Sequence, residues 1–421
     1  MQTNFDAIII GAGPAGSTAA ILLARAGWSV ALVEKQCFPR RKVCGECIAA
    51  SNFPLLEALG IGERFLAIAG PELRKLALVQ GNYITVAELP EYLIKKYAWG
   101  RALGRETLDT LLLEAARRVG ACILQPWSVQ SVSGEIGNWH CEVKALDRVK
   151  TSTLSAPVLI DAHGSWEALP ADRPYRQLIR RPSDLFAFKA NFSNVLLEEG
   201  LLSVLSFKGG YGGMVVADNG LTTVAGCIRR DRLEEERQVL PKIRAGFVVE
   251  ALLKRECKGV RDALQIASIE GSWLAAGPLN LGNRLHSTDT VFRIGNAAGE
   301  IHPIIGEGMS MALQSAWLLV SQLLKANGGT KVLSANWQRN VQSHYVRQWQ
   351  QHFKPRLRVA TAFAHLAMHP AYSKPCMLMA HMWPEILTQG AKWAGKVNNP
   401  VHSATIALLT SAILTGLPSK I

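Results

Sequence analysis

The sequence predicts an α/β protein with a parallel sheet buried on both faces, an inserted antiparallel sheet and a helical C-terminal region. Three stretches carry that prediction. Residues 7–34 read A-I-I-I-G-A-G-P-A-G-S-T-A-A-I-L-L-A-R-A-G-W-S-V-A-L-V-E: a short apolar strand, a glycine turn, a helix and a second apolar strand. Residues 184–228 hold four strand-like segments, with Asp218-Asn219-Gly220 as a hairpin turn. From Met309 onward the pattern is helical.

In the first stretch Gly11, Gly13 and Gly16 stand in G-x-G-x-x-G spacing. Gly11 permits the tight turn, Gly13 lets a pyrophosphate approach the backbone, and Gly16 lets the helix lie close to the strand. Gly27 closes the helix, and the strand after it ends in Glu34. That carboxylate is placed to accept hydrogen bonds from a ribose hydroxyl and disfavours a 2′-phosphate. Together these features predict a Rossmann-like dinucleotide site, while leaving NAD and FAD both open.

The loop after Glu34 and Lys35 contains Arg40-Arg41-Lys42, three cations able to neutralise a pyrophosphate. Two readings compete for Cys44-Gly45-Glu46-Cys47: a redox-active dithiol, or a cofactor-covering loop with incidental thiols. The lack of a thioredoxin-like neighbourhood favours the loop. Residues 51–65 predict a helix, 73–89 strands, 108–119 an amphipathic helix, and 127–145 a hairpin. Residues 158–165 form a buried strand ending at Asp161. The antiparallel segments follow at 186–192, 202–207, 212–217 and 221–228. The buried pattern resumes at 291–299, and a loop over 300–308 leads into a helix from Met309 to about residue 324. The free amides at that helix start suit an anion or an electron-rich carbonyl. Asn327-Gly328-Gly329, Lys354-Pro355 and His369-Pro370 predict breaks in the helical remainder.

The 421 residues suffice for two or three domains, and 48% hydrophobic with 19% charged residues fits a globular chain. The first strand starts by residue 7, leaving no room for a signal peptide, and eight scattered cysteines fit a reducing cytoplasm. Net charge is +13, concentrated at the end: residues 308–421 hold eleven Lys/Arg against one acid, Glu385. Such asymmetry suggests peripheral contact with an anionic membrane. Nucleic acid is disfavoured because no nucleic-acid motif accompanies the charge. Trp337, Trp349, Trp383 and Trp393 accompany these cations, and residues 404–417 form an apolar run of 14, too short to span a bilayer. The alternative is that these apolar residues pack as core helices.

Three motifs stand in order, and together they resemble the FAD-dependent aromatic hydroxylase and geranylgeranyl reductase superfamily. They are Gly11 to Gly16 with Glu34; Asp161-Ala162-His163-Gly164-Ser165; and Gly295-Asn296-Ala297-Ala298-Gly299 through Pro303 to Gly306-Glu307-Gly308. The resemblance covers about residues 5–325 and implies a Rossmann-like FAD-binding domain with an inserted antiparallel β-sheet substrate domain. It assigns 1–72, 100–182 and 276–326 to the first, 73–99 and 183–275 to the second, and 327–421 to a helical C-terminal region. It implies a cofactor site of Gly11, Gly13, Pro14, Ala15, Gly16, Glu34, Lys35, Arg41, Arg105, Val129, Asp161, Gly295, Asn296, Pro303, Gly306, Gly308 and Met309. Asn296 replaces the family's ribitol-contacting aspartate, keeping a hydrogen-bonding amide but no charge. No Trp-x-Trp-x-Ile-Pro is present, which disfavours halogenation. The resemblance implies an FAD-dependent oxidoreductase, with NAD(P)H as a transient electron donor and an apolar small-molecule substrate. Monooxygenation leads, ahead of reduction of isoprenoid double bonds and of a non-catalytic flavin-binding module. No acid–base residue is identifiable; His163 and His302 lie near motifs but read as structural or solvent-facing. The sequence leaves the oligomeric state open.

Overall fold

The computed structural model describes residues 2–92, 95–165, 180–325 and 334–394. Its centre is a five-stranded parallel sheet in the order Phe292–Arg293, Val158–Asp161, Ala7–Ile10, Val30–Val33 and Cys122–Leu124. These strands are apolar throughout because both faces are buried. Ile9, Leu32 and Ile160 face helices Pro14–Arg25, Arg105–Arg118 and Gly308–Lys325. Their neighbours Ile8, Ala31 and Leu159 face a three-stranded antiparallel sheet built from Trp127–Glu135, Asn138–Ala145 and Thr151–Ala156.

A seven-stranded sheet forms the second layer system. Its order is Ser268–Ala276, Leu185–Ser193, Thr222–Arg229, Gly210–Val216, Leu201–Phe207, Lys75–Gln80 and Tyr83–Glu88. Neighbours run antiparallel except Leu201–Phe207 with Lys75–Gln80, which are parallel. Helices Ala245–Glu256 and Lys258–Ala263 bury one face through Val249, Leu252 and Val260. On the other face Ala187, Tyr211 and Cys227 meet Ala364 and Ala367 of the C-terminal helix.

Two local expectations are corrected. Residues 51–65 are not one helix: a 3₁₀ turn Ala50–Asn52 leads into Phe53–Ala58, and a second helix follows at Gly62–Ile68. Gly60 adopts φ +72° between them, a left-handed conformation that ends the first helix. Nor does Pro355 break the chain, since one helix runs through it from Ala335 to Met368. The carbonyl that Pro355 cannot serve belongs to Gln351, which is exposed and can bond water instead.

That helix buries Val341, Tyr345, Trp349, Phe353 and Ala360 in the core on the helical side of the parallel sheet. Trp349 is therefore a packing residue, and the core alternative holds for this segment. Two shorter helices, Pro370–Met382 and Glu385–Trp393, follow. The apolar run 404–417 lies outside the described residues. No helix among the described residues is long and apolar enough to cross a membrane.

Trp349 is 1% exposed and lies against Gly299, so Trp349→Ala leaves a cavity beneath the nearby loop. We expect it to destabilise the protein by about 3–5 kcal/mol in chemical denaturation; a change below about 1 kcal/mol means the C-terminal helix is not part of the cooperative core.

Candidate functional site

Between the two sheets runs a cavity of about 660 Å³, within the range of sites for small molecules and cofactors. One end is the glycine turn. Gly11 adopts φ +101°, and a side chain there would meet the carbonyl of Ala162 at 2.5 Å. A side chain on Gly16 would stand 1.8 Å from the carbonyl oxygen of Gly11, so this glycine serves helix–strand contact and does not line the cavity. Gly13 differs. Its missing side chain points into open space whose nearest atoms are Arg105 Nη2 at 3.8 Å and Arg40 Nη2 at 4.0 Å.

Asp109, fully buried, holds these guanidiniums. It accepts from Arg105 Nε at 2.8 Å and Nη2 at 2.7 Å, and Arg40 Nη2 stands 3.5 Å away. Burial opposes charge on Arg105, but the Asp109 carboxylate outweighs it and holds the guanidinium above its usual range. Lys42 on the same wall is pushed down to about 8, by burial first and then by the Arg40 and Arg105 cations. Glu34 faces this group with one oxygen accepting from the Ala12 amide at 2.9 Å and the other from the Gln36 amide at 2.8 Å.

Farther along the wall, Asn296 donates to Ser165 Oγ at 2.8 Å, and Ser165 donates to Glu300 at 2.9 Å. Arg284 closes the chain, donating to the Asn296 carbonyl at 2.8 Å and to Glu300 at 3.0 Å. An aspartate at 296 would set a second carboxylate against the same serine hydroxyl, so the neutral amide suits its neighbours. Gly306, in the left-handed conformation, turns the chain into helix Gly308–Lys325, whose start lines the cavity with Gly308 and Met309. Buried Asn52, Gln314 and Arg356 brace that start: Asn52 donates to Ser310, Gln314 to Asn52, and Arg356 to Gln314, each at 2.9 Å.

The opposite wall comes from the seven-stranded sheet: Ala187, Leu202, Val204 and Val215, with Tyr211 and Cys227, while the side chains of Phe188 and Met214 turn to the other face of that sheet. Tyr211 hydrogen-bonds His302 Nδ1 at 3.0 Å, and burial pushes the His302 imidazole down to about 4. His163 bonds Asp161 through Nδ1.

The loop with the paired cysteines bridges the seven-stranded sheet and the helix that starts at Arg105. Glu46, 1% exposed with φ +62°, pairs with buried Lys189, accepts from Thr223, and accepts the Arg105 amide at 3.0 Å. Cys44 and Cys47 are free thiols. Cys44 and Cys47 both line the cavity; the Cys44 thiol is raised by burial, and Cys47 also packs with Leu73 and Val215.

Of the residues expected at the site, Gly11, Gly13, Pro14, Ala15, Glu34, Lys35, Arg105, Val129, Gly295, Asn296, Pro303, Gly306, Gly308 and Met309 line the cavity. Gly16, Arg41 and Asp161 do not. Arg41 turns away to the Ser272 carbonyl at 3.2 Å and to Glu106, leaving Arg40 and Lys42 on the wall. Asp161 sits behind the wall, against His163 and Arg293. Sequence reasoning passed over Asp109, the Glu46–Lys189 pair and the Glu300 chain. Only Asp109 had a local signal, four residues after Arg105 on one helix face.

A family model described as an FAD binding domain matches residues 4–334. The chain is 27% identical over 346 residues to conditioned medium factor receptor 1 of Dictyostelium discoideum, covering 77% of this chain but only 64% of that protein, less than two thirds of its length. It is 25% identical over 364 residues to menaquinone reductase of Mycolicibacterium smegmatis, covering 82% of each. The solved structure of CmlS, a flavin-dependent halogenase, superposes with TM-score 0.70 at 20% identity, over 99% of this chain and 77% of that one, a likeness of fold. The open space at Gly13 between two guanidiniums fits a pyrophosphate, and the same cavity continues past Asn296 and Pro303 to Gly308 and Met309.

Gly13→Val fills that space, its Cβ 3.8 Å from the nearest guanidinium. It should keep the wild-type melting temperature yet purify colourless, whereas Gly16→Val should fail to fold; equal yellow colour in Gly13→Val would refute the placement. For His302 the folded value lies below the unfolded 6.5, so the unfolded chain binds the extra proton. Its contribution is complete above pH 6.5 and is lost as pH falls toward about 4. Denaturation midpoints of His302→Gln should therefore fall less steeply than wild type across that window; parallel curves would contradict a buried neutral imidazole.

Proposed function

Since the chain belongs to the FAD binding domain family, whose relatives include oxidoreductases, we propose that it is an NAD(P)H-using FAD-dependent monooxygenase of an apolar aromatic or electron-rich small molecule. One observation carries this reading: a single cavity joins the glycine turn to an apolar wall of the seven-stranded sheet. When bound, FAD supplies the two-electron chemistry with NAD(P)H and oxygen. The chain's residues hold and enclose it. Glu34 receives the adenosine ribose, Arg40, Lys42 and Arg105 balance the pyrophosphate, and Asn296 bonds the ribitol. The amides around Gly308 and Met309 face the flavin ring where negative charge collects, a preorganised stabilisation. Leu202, Val204 and Val215 exclude water from the substrate side. With one G-x-G-x-x-G in the chain, NAD(P)H binds transiently or electrons come from a partner protein.

A second reading, reduction of an isoprenoid double bond, is favoured by Cys44. Its buried thiol stays protonated on the cavity wall and can donate a proton to a carbon centre.

Turnover with NAD(P)H and candidate substrates separates the readings. Product that requires oxygen, with the Cys44→Ser/Cys47→Ser variant keeping flavin and most activity, is the expected result. Product formed equally without oxygen, and lost in that variant, transfers the assignment to the reductase; a protein that cannot be loaded with FAD refutes both.

A further inference from the structure

We infer that the C-terminal helices form a face that docks on an anionic lipid bilayer. Helix Pro370–Met382 buries Ser373, Met377 and Ala380 and turns its other side outward. Tyr372, Leu378, Met382, Trp383, Ile386 and Trp393 are each 43–65% exposed. The edge strand Tyr83–Glu88 extends this surface with exposed Tyr83. The two helices and the strand touch one another, and Thr388 donates to the Glu88 carbonyl at 2.6 Å. So large a cluster of exposed aromatic and aliphatic side chains marks an interaction surface.

Charge selects the partner. Lys374 and Lys392 are exposed among these residues, and Glu385 is the one acid in residues 308–421. The preceding helix adds exposed Arg339, Arg347, Lys354 and Arg358. A second copy would bring cations against cations. A bilayer with anionic headgroups instead takes tryptophans at its interface and lysines at its surface. Ala391 on the inner side of the last helix packs in one cluster with Leu202 and Val215, both of which line the cavity. The docked face thus lies one side-chain layer from the apolar wall, a position suited to a substrate drawn from the bilayer. That consequence rests on the apolar substrate proposed above; the docking itself does not.

Co-sedimentation tests it without any turnover, using the full chain with neutral phosphatidylcholine vesicles and with vesicles containing about one-third phosphatidylglycerol. Wild type should bind the anionic vesicles about tenfold more strongly than the neutral ones, and high salt should weaken that binding. Trp383→Glu/Trp393→Glu should lose about tenfold in affinity. Lys374→Glu/Lys392→Glu changes only exposed charges and should lose the anionic preference, while deletion of residues 395–421 should keep it. Three results overturn the inference: no vesicle binding by wild type; binding lost on the deletion but untouched by the face variants; or a wild-type dimer that the tryptophan variant splits, without vesicle binding.

Discussion

A carboxylate buried between the seven-stranded sheet and the helix that starts at Arg105 is the constraint on which the site depends. Glu46 sits in a left-handed backbone conformation that few residues with side chains adopt. It is held there by Lys189 and Thr223 from the seven-stranded sheet and by the Arg105 amide at the start of helix Arg105–Arg118, while its own carbonyl accepts the Leu103 amide. Removing one member of such a buried pair strands the other charge, typically at a cost of about 3–5 kcal/mol. The pair therefore fixes the loop that carries Arg40, Lys42 and Cys44 against the glycine turn. With that loop in place, Arg105 and Asp109 can order the positive end of the cavity.

Charge in the cavity is graded from end to end. Arg40 and Arg105 flank Gly13, and burial together with the repulsion of these two cations lowers Lys42 to about 8. Asn296 is neutral within a chain that ends on Glu300 and Arg284. The far wall is apolar, and its tyrosine and histidine satisfy each other. Such a gradient orients a long molecule with an anionic centre and an uncharged ring system. Helix Ala335–Met368 contributes by packing in both clusters, Trp349 in the core beside the parallel sheet and Ala364 against the seven-stranded sheet.

Much of this was legible in the sequence because it is local. Strand, turn and helix in residues 7–34 follow from apolar runs and glycine spacing, and the Asp218-Asn219-Gly220 turn marks the hairpin between two central strands of the larger sheet. What escaped depends on distant partners. Nothing near residue 46 announces Lys189, 143 positions away. Arg40, Arg41 and Lys42 are equivalent in sequence; only the path of the loop sends Arg41 to Ser272 and the other two to the cavity. Pro355 reads as a break until the exposed carbonyl of Gln351 shows that water can replace the missing bond. The four tryptophans of the tail look alike, yet Trp349 is core while Trp383 and Trp393 face outward.

The central claim is that an anionic pyrophosphate lies among Arg40, Lys42 and Arg105. Calorimetric titration of the FAD-free protein with FAD near pH 8, in buffers of different ionisation enthalpy, tests it most directly. Lys42, about half protonated there, should become fully protonated beside the anion, so binding should take up roughly half a proton. Lys42→Met should abolish that uptake while still binding FAD. Binding with no proton uptake by the wild type, or an uptake that survives in Lys42→Met, would contradict the account.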